Sequence, residues 1–319
     1  MKKLIFEQKG KERLDKFLMP NFPELSRAKI QKMIEGGNVL VNDKKVLPHY
    51  FLKNQDLILI QPTKVENKTK ILDKTNSKED SKKFVEPTII TDAPDYLVIE
   101  KPAGLVVHHG EVPKKQPALT DWLLKKYPSI KKVGENAQRP GIVHRLDKEV
   151  SGLMVIAKNQ KMFLHLKSQF KNRLALKEYL ALVYGKIAAD DGVINFAIER
   201  SKITGKMAAK PKDTETAREA ITEFSVLKRF VNYTYLKVTI RTGRTHQIRS
   251  HMQAYGHPIV GDKLYFNKNL KPAIINRPFL HSAKLGFYDL GNNWQEFNDP
   301  LPIELTTFLK NLNEIKGRV

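Results

Sequence analysis

The chain has 319 residues, of which 41% are hydrophobic and none is cysteine, so it can bury a sizeable core but forms neither disulfides nor thiolate metal sites. No apolar run approaches the roughly 20 residues of a membrane span, the first ten residues lack the apolar centre of a secretory signal, and a cytoplasmic location is expected. A net charge of +22 predicts a polyanionic partner, and leaves open both an RNA enzyme and a non-catalytic RNA-binding protein.

Residues 1–62 predict a small α/β module, because short helical and extended patterns alternate with clear turn signals. A helix that starts after Ser26 can end at Gly36 and Gly37, and Asn42 with Asp43 favours a tight hairpin turn. The predicted elements are a helix within Lys11–Met19 that Pro20 stops, the helix after Ser26, a hairpin from Val39–Val41 and a closing strand at Leu57–Ile60.

The second predicted helix carries Arg27, Lys29 and Lys32 beside the hairpin. A helix pair with such a basic face resembles the alpha-L RNA-binding domain first known from a ribosomal protein, and the resemblance implies that these three side chains bind RNA. Residues 63–86 are nearly all polar or charged and have too little apolar content to order themselves. They are expected to form a flexible linker to a main domain at 87–319.

Residues 87–319 contain mostly apolar or alternating runs bounded by Gly, Pro, Asp or Asn, with a few helical patterns between them. This pattern predicts an α+β domain with a large mixed, mainly antiparallel sheet. The predicted strands are Tyr96–Ile99, Leu105–Val107, Ile142–Val143, Leu153–Ala157, Tyr179–Tyr184, Ile221–Leu227 and Tyr233–Ile240, and the predicted helices are Leu119–Lys126, Gln160–Lys171 and Thr245–Tyr255.

The segment RPGIVHRLDKEVSGLMVIAK, residues 139–158, places an ionisable cluster between two apolar runs. The cluster contains His144, Arg145, Asp147 and Lys148. A lone aspartate in such a loop most often caps a turn, but several charged side chains presented by a rigid frame favour a functional site.

A second segment, RTGRTHQIRSH at residues 241–251, places Arg241 and Arg244 at the start of a predicted helix, where an anion is favoured. The spacing of a nucleotide-triphosphate loop is absent. His246 and His251 lie five residues apart and diverge by about 140° on a helix, so they do not form a zinc pair. No metal site is therefore expected.

A third segment, KEYLALVYG at residues 177–185, alternates so that Lys177 and Tyr179 share one face of a strand. In isolation Tyr179 is best interpreted as a core residue. Its functional interpretation depends on the other two segments.

Together the three segments resemble the RluA-like family of pseudouridine synthases over nearly all of residues 87–305. EKPAGLVVHHG, GDKLYF and FLHSAKLGF are similar to further blocks of that family. Two departures flank the expected site: Val150 stands where the family usually has threonine, and Gly110 follows His109 where proline is usual.

The resemblance implies an isomerase that converts uridine to pseudouridine without a cofactor. Asp147 would be the catalytic carboxylate, acting either as a nucleophile at carbon 1′ or as a base on the sugar, and Arg249 would keep it ionised. Tyr179 would stack on the target base or assist the final proton transfer, and Arg145 would fill the space that the flipped base leaves. The remaining expected RNA contacts are His144, Lys148, Arg241, Arg244 and Ile248.

The expected partner is RNA, and the resemblance to family members that carry such an amino-terminal module implies large-subunit ribosomal RNA first and transfer RNA second. A non-catalytic ribosome assembly factor is the alternative from another class. A metal-dependent nuclease would need clustered carboxylates or histidines, which the three segments lack. The sequence pattern does not demand more than a monomer.

Overall fold

The computed structural model describes residues 2–7, 10, 12–22, 25, 27–60, 84–109, 116–201, 205–210, 218–266 and 269–313. The chain divides into two compact units, Met1–Ser81 and Lys82–Val319. Positions 63–83 of the predicted linker lie outside the described residues, so the predicted domain limits stay predictions. None of the described helices has the length and apolar character needed to cross a membrane.

The first unit is a small α/β module with a four-stranded antiparallel sheet in the order β1-β6-β3-β4. A two-stranded ribbon of β2 and β5 accompanies it. Its core joins apolar side chains of both helices, such as Leu14 and Ile30, to Val39 and Ile58 of the sheet. The elements are β1 (Lys2–Ile5), β2 (Glu12–Arg13), α1 (Leu14–Phe17), α2 (Arg27–Glu35), β3 (Val39–Val41), β4 (Lys44–Lys45), β5 (Phe51–Leu52) and β6 (Leu57–Ile60), with a 3-10 turn at Met19–Asn21.

The turn chemistry of this unit agrees with its sequence. Gly37 has φ +76° just after α2, and Asn42 and Asp43 have φ +50° and +62° between β3 and β4, as a type I′ hairpin turn requires. The predicted first helix is shorter than expected, because Glu12 pairs with Leu52 before the helix starts. Pro20 lies within the following 3-10 turn instead of stopping an α-helix.

The second unit is built on a nine-stranded sheet in the order β11-β14-β15-β10-β16-β9-β8-β7, with β17 also paired to β16. Its strands are β7 (Thr88–Asp92), β8 (Tyr96–Lys101), β9 (Ser151–Ala157), β10 (Leu176–Tyr184), β11 (Asp191–Ile194), β12 (Ala197–Arg200), β13 (Met207–Lys210), β14 (Thr222–Arg229), β15 (Tyr233–Ile240), β16 (Leu280–Tyr288) and β17 (Trp294–Asn298). Its helices are α3 (Leu119–Lys126), α4 (Gln160–Lys171), α5 (Gln247–Ala254) and α6 (Ile303–Lys310), with a 3-10 turn at Pro128–Lys132. Strands β12 and β13 form a separate ribbon.

The predicted α+β class with a mixed, mainly antiparallel sheet is confirmed. Every described pair of neighbouring strands is antiparallel except β9 with β16. All seven residues of β9 are buried, because α4 packs on this part of the sheet and the main apolar core surrounds it. The alternation of β15, by contrast, reflects one buried and one partly exposed face.

Two predicted strands are wrong. The run Leu105–Val107 forms only one bridge, from Val106 to Ala118, and the run Ile142–Val143 forms only one, from Ile142 to Ile156. Their apolar side chains belong to or pack against the main core. Burial therefore accounts for the apolar runs, and pairing is not needed to explain them.

Among the described strand pairs only β9 and β16 are parallel, and this junction is two residue pairs long with the two backbones in close approach. In it Ser151 pairs with His281 and Gly152 pairs with Ser282. Gly152 has φ +115°, and a Cβ at this position would lie 2.6 Å from the backbone nitrogen of Ser282 and closer still to its carbonyl oxygen. The junction thus requires glycine both for its backbone conformation and for space.

We expect Gly152→Ala to lower the free energy of unfolding of the second unit by about 4 kcal/mol or more, because backbone atoms cannot give way as a flexible side chain can. Gly256→Ala is the matched control, since Gly256 has φ +88° but open space around its Cβ position; we expect it to cost only about 1–2 kcal/mol. Both tryptophans of the chain, Trp122 and Trp294, lie in this unit, so tryptophan fluorescence during denaturant unfolding measures it selectively. Equal losses in the two variants would contradict the steric argument.

Candidate active site

Asp147 lies in the loop that leads into β9. Leu146 and Val150 on either side of it are buried in the main core, and the amide of Val150 donates to the carbonyl of Asp147 at 3.1 Å. These anchors leave the Asp147 carboxylate facing a pocket, with 16% of its side chain exposed.

Lys101, at the end of β8, supports this loop from below. It is fully buried, and its Nζ donates to the carbonyls of Pro102, Leu105 and Lys148 at 2.8, 3.0 and 3.2 Å. The amide of Gly104 also donates to the carbonyl of Lys148, at 2.8 Å. Burial lowers the pKa of Lys101 to about 7, against the attraction of Asp147. The loop is therefore tied through its backbone, one residue after Asp147.

Arg249 projects from the first turns of α5 and binds two carboxylates. Its Nη1 donates to Oδ2 of Asp147 at 3.1 Å. Its Nε and Nη2 donate to the two oxygens of Asp262 at 2.6 and 2.9 Å, and Asp262 also accepts from the amides of Leu264 and Tyr265. The ring of Tyr265 lies 5.2 Å from the guanidinium carbon. Asp262 thus fixes the orientation of the guanidinium group that donates to Asp147.

This arrangement is a largely desolvated charge cluster. Arg249 is 6% exposed and Asp262 is 1% exposed. Burial lowers the pKa of the Arg249 guanidinium, but the carboxylates of Asp262 and Asp147 outweigh burial and the net shift is upward. Arg249 therefore stays a cation.

The pocket beside Asp147 has a volume of about 80 Å³ and walls that combine apolar with charged side chains. Tyr179 from β10 and Ile248 from α5 are both buried and line it, together with Leu280. Burial, and then the nearby Asp147, raises the pKa of Tyr179, so its side chain is a neutral phenol. Asp147 is the one carboxylate among the described residues that line this pocket, and a flat, uncharged ring suits the space beside it.

His246 begins α5 in a left-handed conformation, with φ 54°. Its Nδ1 lies 3.1 Å from the hydroxyl of Tyr265, while its Nε2 lies 3.9 Å from Asp147, beyond hydrogen-bonding distance. Burial lowers the pKa of His246, against the attraction of Asp147. The predicted helix Thr245–Tyr255 thus starts two residues later than expected, because His246 turns toward the pocket.

The predicted RNA contacts fall into two groups. The first group lies at or near the pocket and consists of Arg145, Lys148, Arg241 and Arg244. Arg145 is exposed and lies 3.2 Å from a ring nitrogen of His108, Lys148 donates to Gln116, Arg241 forms an exposed ion pair with Glu223, and Arg244 donates to the carbonyl of Glu219. Arg145, Lys148 and Arg244 contact neutral groups, which leaves their charges available to a polyanion. Arg241 instead donates to both oxygens of Glu223 at 2.9 and 3.1 Å, the bidentate geometry in which an exposed ion pair is strongest.

His144 is held differently. Its ring stacks on Phe170 with the centroids 4.6 Å apart, and its Nε2 accepts a hydrogen bond from the amide of Val155 at 3.0 Å. Burial, and then Lys177, lowers its pKa to about 3. These contacts position the loop before Asp147, and the predicted RNA contact of His144 stays a prediction.

In the first unit, Arg27, Lys29 and Lys32 all lie on α2 as expected. Their side chains lie outside the described part of the structure. Their predicted RNA contacts therefore stay predictions.

The other polar residues of the second motif are structural. The side chain of Gln247 bonds Thr242, Thr222 and the backbone of Ile221, and the two ring nitrogens of His251 lie 2.9 Å from the hydroxyl of Thr222 and the carbonyl of Phe196. Across the described ranges, no three His, Cys, Asp or Glu side chains come close enough to hold a metal ion.

Sequence reasoning missed Asp262 and Lys101 as parts of this site. Both lie in segments noted for their similarity to family blocks, GDKLYF and EKPAGLVVHHG. From sequence alone, an aspartate after glycine is interpreted as a turn residue, and a lysine at the end of a strand is interpreted as a solvent-exposed side chain. Only their complete burial in the folded unit distinguishes them from such residues.

The two departures from the family pattern are accommodated locally. Val150 is 2% exposed and belongs to the main apolar core, so a methyl group takes the place of the usual hydroxyl. A ring nitrogen of His109 lies 2.6 Å from the carboxylate of Asp121 in the first turn of α3. Gly110 lies outside the described residues.

Comparison with known proteins gives consistent matches to both units. A family model described as RNA pseudouridylate synthase matches residues 95–254, and an S4 domain model matches residues 12–58. A Bacillus subtilis protein named uncharacterized RNA pseudouridine synthase YlyB is 33% identical over 97% of this chain and 96% of its own length. A Buchnera aphidicola protein named ribosomal large subunit pseudouridine synthase D is 34% identical over 95% of this chain and 94% of its own. The solved structure of human RNA pseudouridylate synthase domain containing 4 has a TM-score of 0.56 at 26% identity, covering 70% of this chain and 92% of that one.

We expect the two aspartates that bind Arg249 to differ in their effect on stability. Asp262→Asn should lower the free energy of unfolding by about 3 kcal/mol, because it leaves a buried guanidinium without its main counter-charge. Asp147→Asn should change it by no more than about 1 kcal/mol, since Arg249 keeps its bonds to Asp262. Denaturant unfolding followed by tryptophan fluorescence measures both. Asp190→Asn, which breaks only an exposed pair with Arg229, is the control, and an Asp147→Asn loss as large as that of Asp262→Asn would contradict this division of roles.

Proposed function

This chain belongs to the RNA pseudouridylate synthase family and is an isomerase of uridine in RNA, and from this premise we propose that Asp147 performs the reaction on a flipped-out uridine of large-subunit ribosomal RNA. The observation that supports the proposal most directly is the ion pair of Asp147 and Arg249 in the wall of a pocket that Tyr179 and Ile248 also line. The amino-terminal unit is an S4 domain. We place the enzyme in the cytoplasm, acting as a monomer without a cofactor.

The reaction needs one ionised carboxylate at the sugar. The bond from carbon 1′ to nitrogen 1 breaks, the base rotates, and a bond from carbon 1′ to carbon 5 forms. Asp147 either attacks carbon 1′ or removes a sugar proton, and both routes start from its charged form. When RNA covers the pocket, desolvation favours the protonated acid, and Arg249 offsets that effect.

The proton balance of the reaction indicates what the side chains that line the pocket have to do. Carbon 5 loses one proton and nitrogen 1 gains one, so the reaction is redox-neutral and requires only proton transfer. Tyr179 is a neutral phenol that lines the same pocket as Asp147. Its ring can stack on the rotating uracil, and its hydroxyl can take part in the last proton transfer. Ile248 packs beside the base and restricts its tilt.

A uridine in folded RNA reaches such a pocket only after it leaves its stack, at a cost of a few kcal/mol. Arg145 is the exposed residue at the pocket with a planar group that can replace the base. Lys148, Arg241 and Arg244 would then bind the phosphates on either side. Large-subunit ribosomal RNA is our choice of target because the Buchnera aphidicola relative, similar over almost the whole chain, carries that name.

We expect Asp147→Asn to reduce pseudouridine formation by at least about 10³-fold, because the amide can neither attack the sugar nor accept its proton. Affinity for RNA should stay within about twofold, since the variant removes a negative charge and leaves the cations intact. Single-turnover assays on large-subunit ribosomal RNA transcripts and filter binding measure the two quantities. The surface variant Asp190→Asn should match the wild type in both. Undiminished product from Asp147→Asn would overturn the proposed role.

We expect deletion of the gene to remove one or a few pseudouridines from large-subunit ribosomal RNA, and expression of the wild type, but not of Asp147→Asn, to restore them. Nucleotide-resolution mapping of pseudouridine in total RNA tests this. Loss confined to transfer RNA would refute the choice of target while leaving the chemistry in place.

A further inference from the structure

A second cavity of about 370 Å³ adjoins the catalytic pocket. The two share Arg145, Tyr179, Ile240, Gly243 and Arg244 in their walls, so they open beside one another. Its volume lies in the range of about 300–1,000 Å³ that is usual for ligand sites. The proposed chemistry at Asp147 makes no use of this space.

Lys177 lies in the wall of this cavity, and none of the residues that the structure describes supplies it with a counter-charge. It precedes Tyr179 by two residues on β10 and shares its face of the sheet, and it is 6% exposed. Within the described residues its Nζ has no hydrogen-bond or ion-pair partner, and it lies 5.7 Å from the ring centroid of Phe170. Burial, and then Arg173 and Arg241, lowers its pKa to about 8.

A buried, unpaired lysine is costly for the free protein. Lys101 shows the usual solution, since three carbonyl oxygens surround its ammonium group. Lys177 has no such arrangement, although it is nearly as deeply buried. An anionic ligand that enters the cavity would supply the missing partner and would restore the charged state of the lysine.

The remainder of the cavity also favours an anion. Arg139, Lys167 and Lys171 lie at its exposed edge, and no carboxylate is among its described lining residues. Ile142, Val143 and Phe170 provide an apolar wall. A basic floor and edge with an apolar side match the phosphate, and the sugar or base, of one nucleotide.

We propose that this cavity is a second RNA subsite, in which the ammonium group of Lys177 binds the phosphodiester of a nucleotide next to the target uridine. This subsite rests on the proposed function, because a strand whose uridine enters the pocket over Asp147 passes the shared wall formed by Arg145 and Tyr179. The nucleotide's phosphate meets Lys177, and its sugar or base lies against Phe170. Lys177 is thereby a binding residue, not a catalytic one.

Lys177→Met, made in the full-length protein, tests the subsite. With a large-subunit ribosomal RNA transcript as the probe, we expect the dissociation constant to rise roughly tenfold, as for the loss of a charged hydrogen bond. The slope of log affinity against log salt should fall by about 0.7, the value for one phosphate contact with a single strand. The rate at saturating RNA should stay within about twofold of the wild type.

Lys237→Met is the matched control, because it removes the same charge from the same sheet. Lys237 lies opposite Leu180 in the register of β10 and β15, on the face away from Lys177 and Tyr179. Its variant should keep the wild-type affinity and salt slope. Tryptophan-detected unfolding should find Lys177→Met no less stable than the wild type, because an uncompensated buried charge has been removed.

RNA that carries one uncharged methylphosphonate linkage identifies the phosphate. At one position beside the target, the substitution should weaken binding to the wild type but have no further effect on Lys177→Met. Wild-type affinity and slope in Lys177→Met, or a reduced maximal rate with unchanged affinity, would overturn the subsite. Failure of the proposed function is a separate result, since it would appear as undiminished product from Asp147→Asn, whatever the binding of Lys177→Met.

Discussion

The catalytic unit depends on the placement of a single guanidinium. Arg249 donates from one edge to Asp262 and from a terminal nitrogen to Asp147. Asp262 is itself fixed by two backbone amides, so Arg249 has little freedom to follow a moving carboxylate. The ion pair at the pocket is therefore preorganised by the protein itself. A flexible arginine would instead have to be ordered at the expense of RNA binding.

Local sequence patterns were sufficient for much of the fold and for part of the site. The strand Tyr233–Ile240 was predicted to the residue, because its alternation reflects its own two faces. The predicted strand at Ile142–Val143 was wrong, because apolar residues can cover a core without pairing as a strand. Asp147 and Arg249 were joined across 102 residues only through the resemblance of their motifs to a known family. Asp262 escaped notice because its significance comes from its complete burial, which depends on long-range packing.

The buried lysines show how identical side chains acquire different functions from their surroundings. The ammonium group of Lys101 donates its hydrogen bonds to backbone carbonyls, one of them in the loop that holds Asp147. Lys101 therefore helps to fix the conformation of that loop. Lys177 lies in the wall of an open cavity, with Nζ beside the aromatic ring of Phe170, and so retains its capacity to bind. No pattern of neighbouring residues in the sequence separates the two lysines. The difference arises from which carbonyl oxygens the completed sheet brings within reach.

The short junction of β9 with β16 has a kinetic consequence. Among the described strand pairs, the backbone register between the two halves of the sheet has two residue pairs, His281 with Ser151 and Ser282 with Gly152. Asp147 precedes this junction on one half, while Tyr179 and Arg249 belong to the other. The active centre therefore straddles a seam between segments that are distant in sequence. Such contacts form late, since chain closure over long loops is slow. A refolding molecule would regain its strands and helices first, and its catalytic competence only when the seam closes.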